Sequence, residues 1–98
     1  MKCNEAAKKI INDYIYKNRV VVFNDSDNED RIENIFIDKH KPIVVNINKF
    51  EAIQQCLNEK SGDNILPKVY LNGMYAGHYN EVNRINQRGD LEILFKLN

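Results

Sequence analysis

The sequence predicts an α/β domain in which a mixed four-stranded sheet is covered by helices. Three observations carry this reading. Val20 to Phe23 and Ile43 to Ile47 are continuous apolar runs separated by a stretch with helical periodicity, the pattern of two parallel strands joined by a crossover helix. From Ile65 to Glu81 the chain shows a proline, a short β-rich run, Asn72-Gly73, a second run and Gly77. Asn-Gly between two such runs marks a type I′ hairpin. Amphipathic stretches stand at both ends of the chain, so that a βαβ unit, a connecting helix and a ββα unit are flanked by further helices.

In order, Ala7, Ile10, Ile11, Tyr14 and Ile15 form an apolar stripe at helical spacing between Asn4 and Asn18, with Lys8, Lys9, Asn12 and Asp13 opposite. Val20 to Phe23 suits a central strand buried on both faces. Asn24 to Asp30 is the most acidic stretch and leads into Arg31 to Lys39, where Ile32, Ile35 and Phe36 predict a second helix. His40-Lys41-Pro42 breaks it, and Ile43 to Ile47 reads as another buried strand. Asn48 offers a cap to a third helix with Phe50, Ile53 and Leu57 on one face and Ser61-Gly62 as its stop. Val69 to Leu71 and Met74 to Gly77 form the hairpin, with Pro67 just ahead of it, where no ladder donor is lost. Asn80 is the expected cap of a helix from Glu81 that carries Val82 and Ile85 and ends at Gly89. Asp90 then caps a last helix with Leu91, Leu94, Phe95 and Leu97 on its inner side.

The 98 residues suffice for one modest core, so residues 1–98 are read as a single domain. Fourteen basic and fourteen acidic residues cancel. No global field is left to hold a nucleic-acid backbone or an anionic membrane, and neither is expected as a partner. The longest apolar runs fall far short of a bilayer span, and the N-terminus has no signal-peptide core. The expectation is a cytoplasmic protein. Cys3 and Cys56 form neither a Cys-x-x-Cys nor a zinc spacing, and no disulfide framework or metal site is expected from them.

The order of Pro67, strand, Asn72-Gly73, strand, Gly77 and helix resembles the C-terminal half of glutaredoxins. The stretch Ile53 to Asn72 is similar to their third helix, Gly-containing loop and post-proline strand, and Gln87 to Glu92 is similar to the start of their last helix. The likeness covers nearly the whole chain. It implies a thioredoxin-like, glutaredoxin-type fold with a cis bond at Leu66-Pro67. Glutaredoxins carry a Cys-Pro-Tyr-Cys or Cys-Gly-Phe-Ser motif between the first strand and the second helix. There the first cysteine reacts as a thiolate stabilised at a helix N-terminus. Here that position falls on Ser26-Asp27-Asn28-Glu29, just after Asp25, with about two residues deleted ahead of it. Neither cysteine is present.

Ser26 has no histidine near it in sequence to act as a base, so it is not read as a nucleophile. Ser26 and Glu29 have instead the spacing of a capping box ahead of an apolar stripe. Asp25 to Asp30 opens like a calcium loop, but the turn glycine is missing and Phe36 stands where a bidentate glutamate belongs. No metal is expected. The resemblance puts the ligand groove between Asp25 to Glu29, Leu66-Pro67 and His78-Tyr79-Asn80. The family's second glycine is His78 here and its polar pair is Tyr79-Asn80, while no lysine precedes the motif position. No cofactor is therefore expected beyond, at most, weak glutathione binding. His78 reads as a surface turn residue, Cys56 as partly buried filler, Cys3 as exposed, and His40 as part of a solvated basic turn. Of Tyr70, Tyr75 and Tyr79, at least one is expected in the core and any on the outer hairpin face could meet a partner.

The expected function is a redox-inactive glutaredoxin-like domain that binds a protein or peptide through this groove. The alternative is a glutathione-dependent thiol–disulfide oxidoreductase or transferase that uses an unrecognised thiol.

Overall fold

The computed structural model of the chain describes residues 2–26 and 41–96, with side chains to residue 93. The helix expected over Arg31 to Lys39 lies outside the described residues, as do Asp27, Asn28 and Glu29 and with them the Ser26–Glu29 capping box. Eight elements are described: α1 (Glu5–Lys17), β1 (Val20–Asn24), β2 (Ile43–Asn46), α2 (Glu51–Ser61), β3 (Lys68–Leu71), β4 (Met74–Gly77), α3 (Tyr79–Gln87) and α4 (Asp90–Lys96). The strands form one mixed sheet in the order β2-β1-β3-β4. β1 is parallel to β2 and antiparallel to β3, and β3 is antiparallel to β4. This is the expected architecture.

α1 starts where Asn4 accepts a 2.8 Å bond from the Ala7 amide, and it ends at Lys17, so that Glu5 and Lys17 both complement the helix dipole. Its buried stripe is Ala7, Ile11 and Ile15. Every residue of β1 is buried, as its unbroken apolar run implies. β2 departs from expectation: Ile43, Val44 and Asn46 are exposed and only Val45 is half-buried. The reason is position, because β2 is the edge strand and has a described neighbour on one side alone. The expected caps also shift. α2 is preceded by Phe50, with no side-chain bond to the helix, rather than by Asn48. α3 begins at Tyr79 with His78 as its cap, two residues before Asn80. Asp90 is already the first residue of α4; Leu91 is buried there, whereas the side chains of 94 and 95 and the whole of Leu97 lie outside the described part. The hairpin turn has φ of 53° at Asn72 and 83° at Gly73, the double left-handed pair that a type I′ turn demands.

Alternation along the strands divides the core in two. Val21, Phe23 and Tyr70 pack with Ala7, Ile11, Ile15 and Leu57 under α1 and α2. Val20, Val22, Val69 and Leu71 pack with Val82 and Leu91 under α3 and α4. Phe23 lies edge-on to both Tyr14 and Tyr70, with ring centroids 6.2 and 5.8 Å apart. Tyr70 is the core tyrosine, and its hydroxyl has no hydrogen-bond partner among the described residues. Burial, and then the charge of Asp63, push that hydroxyl up to about 12. An unpaired buried hydroxyl forfeits its hydration without return, so Tyr70→Phe is expected to leave stability unchanged or raise it by about 1 kcal/mol. A thermal melt checks this.

Candidate functional site

β1 and β3 pair so that Phe23 faces Lys68. This register sets the end of β1, followed by Asp25 and Ser26, beside the start of β3, preceded by Leu66-Pro67. The Leu66–Pro67 bond is cis, as expected. Pro67 is buried, while Leu66 is half-buried against the core under α1 and α2.

Behind this ledge stands a charged cluster. Lys68 opens β3 and is fully buried, a placement that costs several kcal/mol unless the ammonium is paired and fully hydrogen-bonded. Its Nζ donates to Ser61 Oγ at 2.8 Å, to the Asp63 carbonyl at 2.9 Å and to Asp63 Oδ1 at 2.8 Å, which uses its three hydrogens. Gly62, in the left-handed region at φ 83°, ends α2 and turns the chain so that Ser61 and Asp63 both reach Lys68. Asp63 Oδ1 also accepts from the Ile65 amide at 2.9 Å, and its Oδ2 lies 3.2 Å from His78 Nε2 and 3.4 Å from the Tyr75 hydroxyl. Burial alone would raise the Asp63 carboxyl, but the Lys68 ammonium, the Ile65 amide and His78 outweigh it and hold it at about 2. Burial and the charge of Asp63 drive the Tyr75 hydroxyl far above its ordinary value. That makes Tyr75 a persistent donor or acceptor, not a phenolate.

His78 joins the cluster to the ledge. Its backbone amide donates to Glu81 Oε1 at 2.9 Å, the reciprocal arm of a capping box on α3. Its ring Nδ1 lies 3.1 Å from the Tyr75 hydroxyl and 3.4 Å from the Pro67 carbonyl. With hydrogen on Nε2 alone, the ring donates to Asp63 and accepts from Tyr75, and Nδ1 makes no hydrogen bond to the Pro67 carbonyl; with hydrogen on both ring nitrogens, Nδ1 donates to the Tyr75 hydroxyl or to the Pro67 carbonyl. The backbone turn behind His78 depends on Gly77, at φ 111°, where a Cβ would stand 2.9 Å from Glu81 Cβ.

The cluster has an acid signature. A carboxyl whose pKa is lower in the folded than in the unfolded state stabilises the fold fully above its unfolded value, and that contribution disappears as the pH falls through the folded value. For Asp63 the window therefore runs from about pH 4 down to about 2. Wild-type stability is expected to decline across it more steeply than that of Asp63→Asn, measured by urea unfolding at stepped pH.

No protein-family model matches the sequence, and no curated protein does. Solved structures do match. Oxidized glutaredoxin 2 from Chlamydomonas reinhardtii superposes with a TM-score of 0.80 at 23% identity, covering 93% of this chain and 92% of that one. The buckwheat glutaredoxin–glutathione complex gives 0.82 at 21% identity, covering 92% and 87%. Wheat glutaredoxin gives 0.82 at 21% identity, covering 95% and 96%. The chain has a glutaredoxin-like thioredoxin fold. Among the described residues of this glutaredoxin-like fold, no helix is long and apolar enough to cross a membrane.

Of the residues singled out from sequence, Pro67 and His78 meet through the Pro67 carbonyl. His78 lies at a bend, as expected, but its side chain is only 18% exposed, because Asp63 and Tyr75 draw it inward. Ser26 is exposed in a turn, and Asp25 is half-buried with its amide bonded to Asn24 Oδ1. Tyr79 packs on the core under α3 and α4, and Asn80 is exposed. Sequence reasoning missed Asp63, Lys68 and Tyr75. The available signal was Lys68 itself, a lysine directly after a proline at the head of a strand otherwise made of Val69, Tyr70 and Leu71. Such a lysine either snorkels or requires a buried acid. The cysteines are a second correction. Cys3 and Cys56 form a disulfide across 53 residues, with Cα atoms 4.7 Å apart. Spacing rules for local motifs do not see a pair that tertiary packing brings together.

Proposed function

We propose that this glutaredoxin-like domain is a binding module whose groove accepts an extended peptide or thiol peptide along the Leu66-Pro67 edge and performs no thiolate chemistry there. The observation that supports this most is the bracing of the ledge: the His78 ring, held by Asp63 and through it by buried Lys68, lies 3.4 Å from the Pro67 carbonyl beside the end of β1. At the position where the resemblance puts a reactive cysteine, the chain has Ser26, and its two cysteines are joined to each other elsewhere. An extended ligand would meet the Leu66 backbone just ahead of β3, using the main-chain hydrogen bonds on which strand-addition recognition relies. The buckwheat glutaredoxin was solved with glutathione, and weak glutathione binding belongs to this proposal, as do a protein or peptide partner and a cytoplasmic location.

The test is a titration of the labelled full chain with S-methylglutathione, which cannot exchange with a disulfide, followed by amide NMR. Shifts grouped at residues 63–67 and 78–81 are expected. Amides that stay fixed there up to millimolar ligand, or shifts grouped elsewhere, would overturn the proposed groove.

A further inference from the structure

The two cysteines that local spacing left without a role stand in different surroundings. Cys56, on α2, is only 4% exposed and belongs to the core under α1 and α2, whereas Cys3 is half-buried in the segment ahead of α1. Both line a half-open cavity of about 290 Å³, together with Lys8, Asn12, Lys60 and Glu59. That volume lies near the lower end for small-molecule sites, about 300 Å³, and is too small for a protein chain. Two lysines against one glutamate leave the lining net positive. Lys8 makes its ion pair with Glu5 at 3.3 Å between exposed groups, a contact of little strength that an incoming carboxylate can replace.

We propose that the Cys3–Cys56 pair is a thiol–disulfide exchange site for a carboxylate-bearing low-molecular-weight thiol, with Cys3 the sulfur attacked and Cys56 the resolving thiol. The incoming thiolate attacks Cys3 Sγ, a new S–S bond forms there, and the bond to Cys56 breaks with its electron pair leaving on Cys56. Cys56 takes a proton from solvent, and the Asn4 carbonyl, 3.7 Å from its Sγ, accepts a bond from the resulting thiol. The added group occupies the cavity, its carboxylates facing Lys8 and Lys60. A second thiolate then attacks the sulfur of the added group, releasing the small disulfide and leaving Cys3 reduced. Two small thiols are thus oxidised as one protein disulfide is reduced, and the reverse sequence re-forms the bridge. Burial sets the direction of attack, because exchange rates depend on access to the sulfur. In reducing compartments, disulfides are generally transient and serve redox sensing or catalysis, which suits a bridge that lines an open cavity and is more exposed at Cys3 than at Cys56.

The experiment uses the full chain and glutathione with its disulfide as the probe couple, quenched by alkylation and read by intact and peptide mass. In wild type, the bridge is expected to open and close with the ratio of the couple while the native fold persists. In Cys56→Ser, a glutathione adduct should accumulate on Cys3, since the resolving thiol is gone. In Cys3→Ser, Cys56 should be modified at least tenfold more slowly. Replacing Lys8 and Lys60 by glutamate should slow exchange with glutathione several-fold more than exchange with 2-mercaptoethanol, whose attacking thiolate carries no carboxylate. A bridge that resists excess glutathione until the chain unfolds would overturn the proposal, as would equal modification of the two single variants. Equal slowing of both thiols by the lysine replacements would overturn the assigned role of the cavity.

Discussion

Asp63→Ala is expected to destabilise the domain by about 3–5 kcal/mol, the cost of stranding a buried charge without its partner. The stranded group is the Lys68 ammonium, fully buried and bonded to Asp63 Oδ1 at 2.8 Å. Only Ser61 Oγ and the residue-63 carbonyl would remain to it, and neither carries charge. The loss should appear as a lower urea midpoint with an unchanged slope. A second substitution separates pairing from loop geometry. Lys68→Met in the Asp63→Ala background removes the buried charge and keeps an apolar chain of similar length, and most of the lost stability should return. If Asp63→Ala costs under about 1 kcal/mol, the ammonium finds water in the native state and is not held as described. The same variant bears on the ledge, because Asp63 is one of the groups that hold the His78 ring.

Gly77→Ala is expected to cost about 2–5 kcal/mol, from two sources that act together: a left-handed backbone and an overpacked contact. The φ of 111° excludes a comfortable side chain, and the new Cβ would lie 2.9 Å from Glu81 Cβ and 3.1 Å from Glu81 Cγ. Relief requires Glu81 to move, which withdraws the carboxylate oxygen that caps the His78 amide. Gly89→Ala is the matched control. Its φ of 77° is also positive, but nothing lies within 4 Å of the added carbon, so only the backbone penalty of about 1–2 kcal/mol applies. Denaturant midpoints of the two variants should therefore differ clearly. Equal midpoints would show that Glu81 yields freely and that the cap does not fix the entrance to α3.

Most of the fold was legible because its signals are local. The stripe of Ala7, Ile11 and Ile15, the run of Val20 to Phe23 and the Asn72-Gly73 turn each depend on a few neighbouring residues. What was misread depends on distant ones. The apolar sequence of Ile43 to Val45 does not reveal that the strand sits at an edge. Asn48 and Asn80 are better capping residues than Phe50 and His78 by chemistry, yet tertiary packing starts both helices elsewhere. His78 follows Glu81 and Asp63 rather than its own cap propensity. At the site, Pro67 was readable through the resemblance, whereas the Asp63–Lys68 pair was not, since its meaning lies in the burial of a lysine that sequence alone leaves at either end of the scale. The Cys3–Cys56 bridge is of the same kind.

The central strand has one further consequence. Within the apolar run Val20 to Phe23, polarity does not distinguish the two faces of the strand. Here size makes the choice. The α1 and α2 side receives Phe23 and Tyr70, while the opposite side receives valines and Leu71 from the same two strands. Shifting β1 by one residue would drive the Phe23 ring into a layer shaped for Val22 and leave a ring-sized void between Tyr14 and Tyr70. Either error costs several kcal/mol. The alignment of β1, and with it the meeting of Phe23 and Lys68 at the ledge, is thus encoded by volume: one aromatic ring acts as the key that fits a single lock.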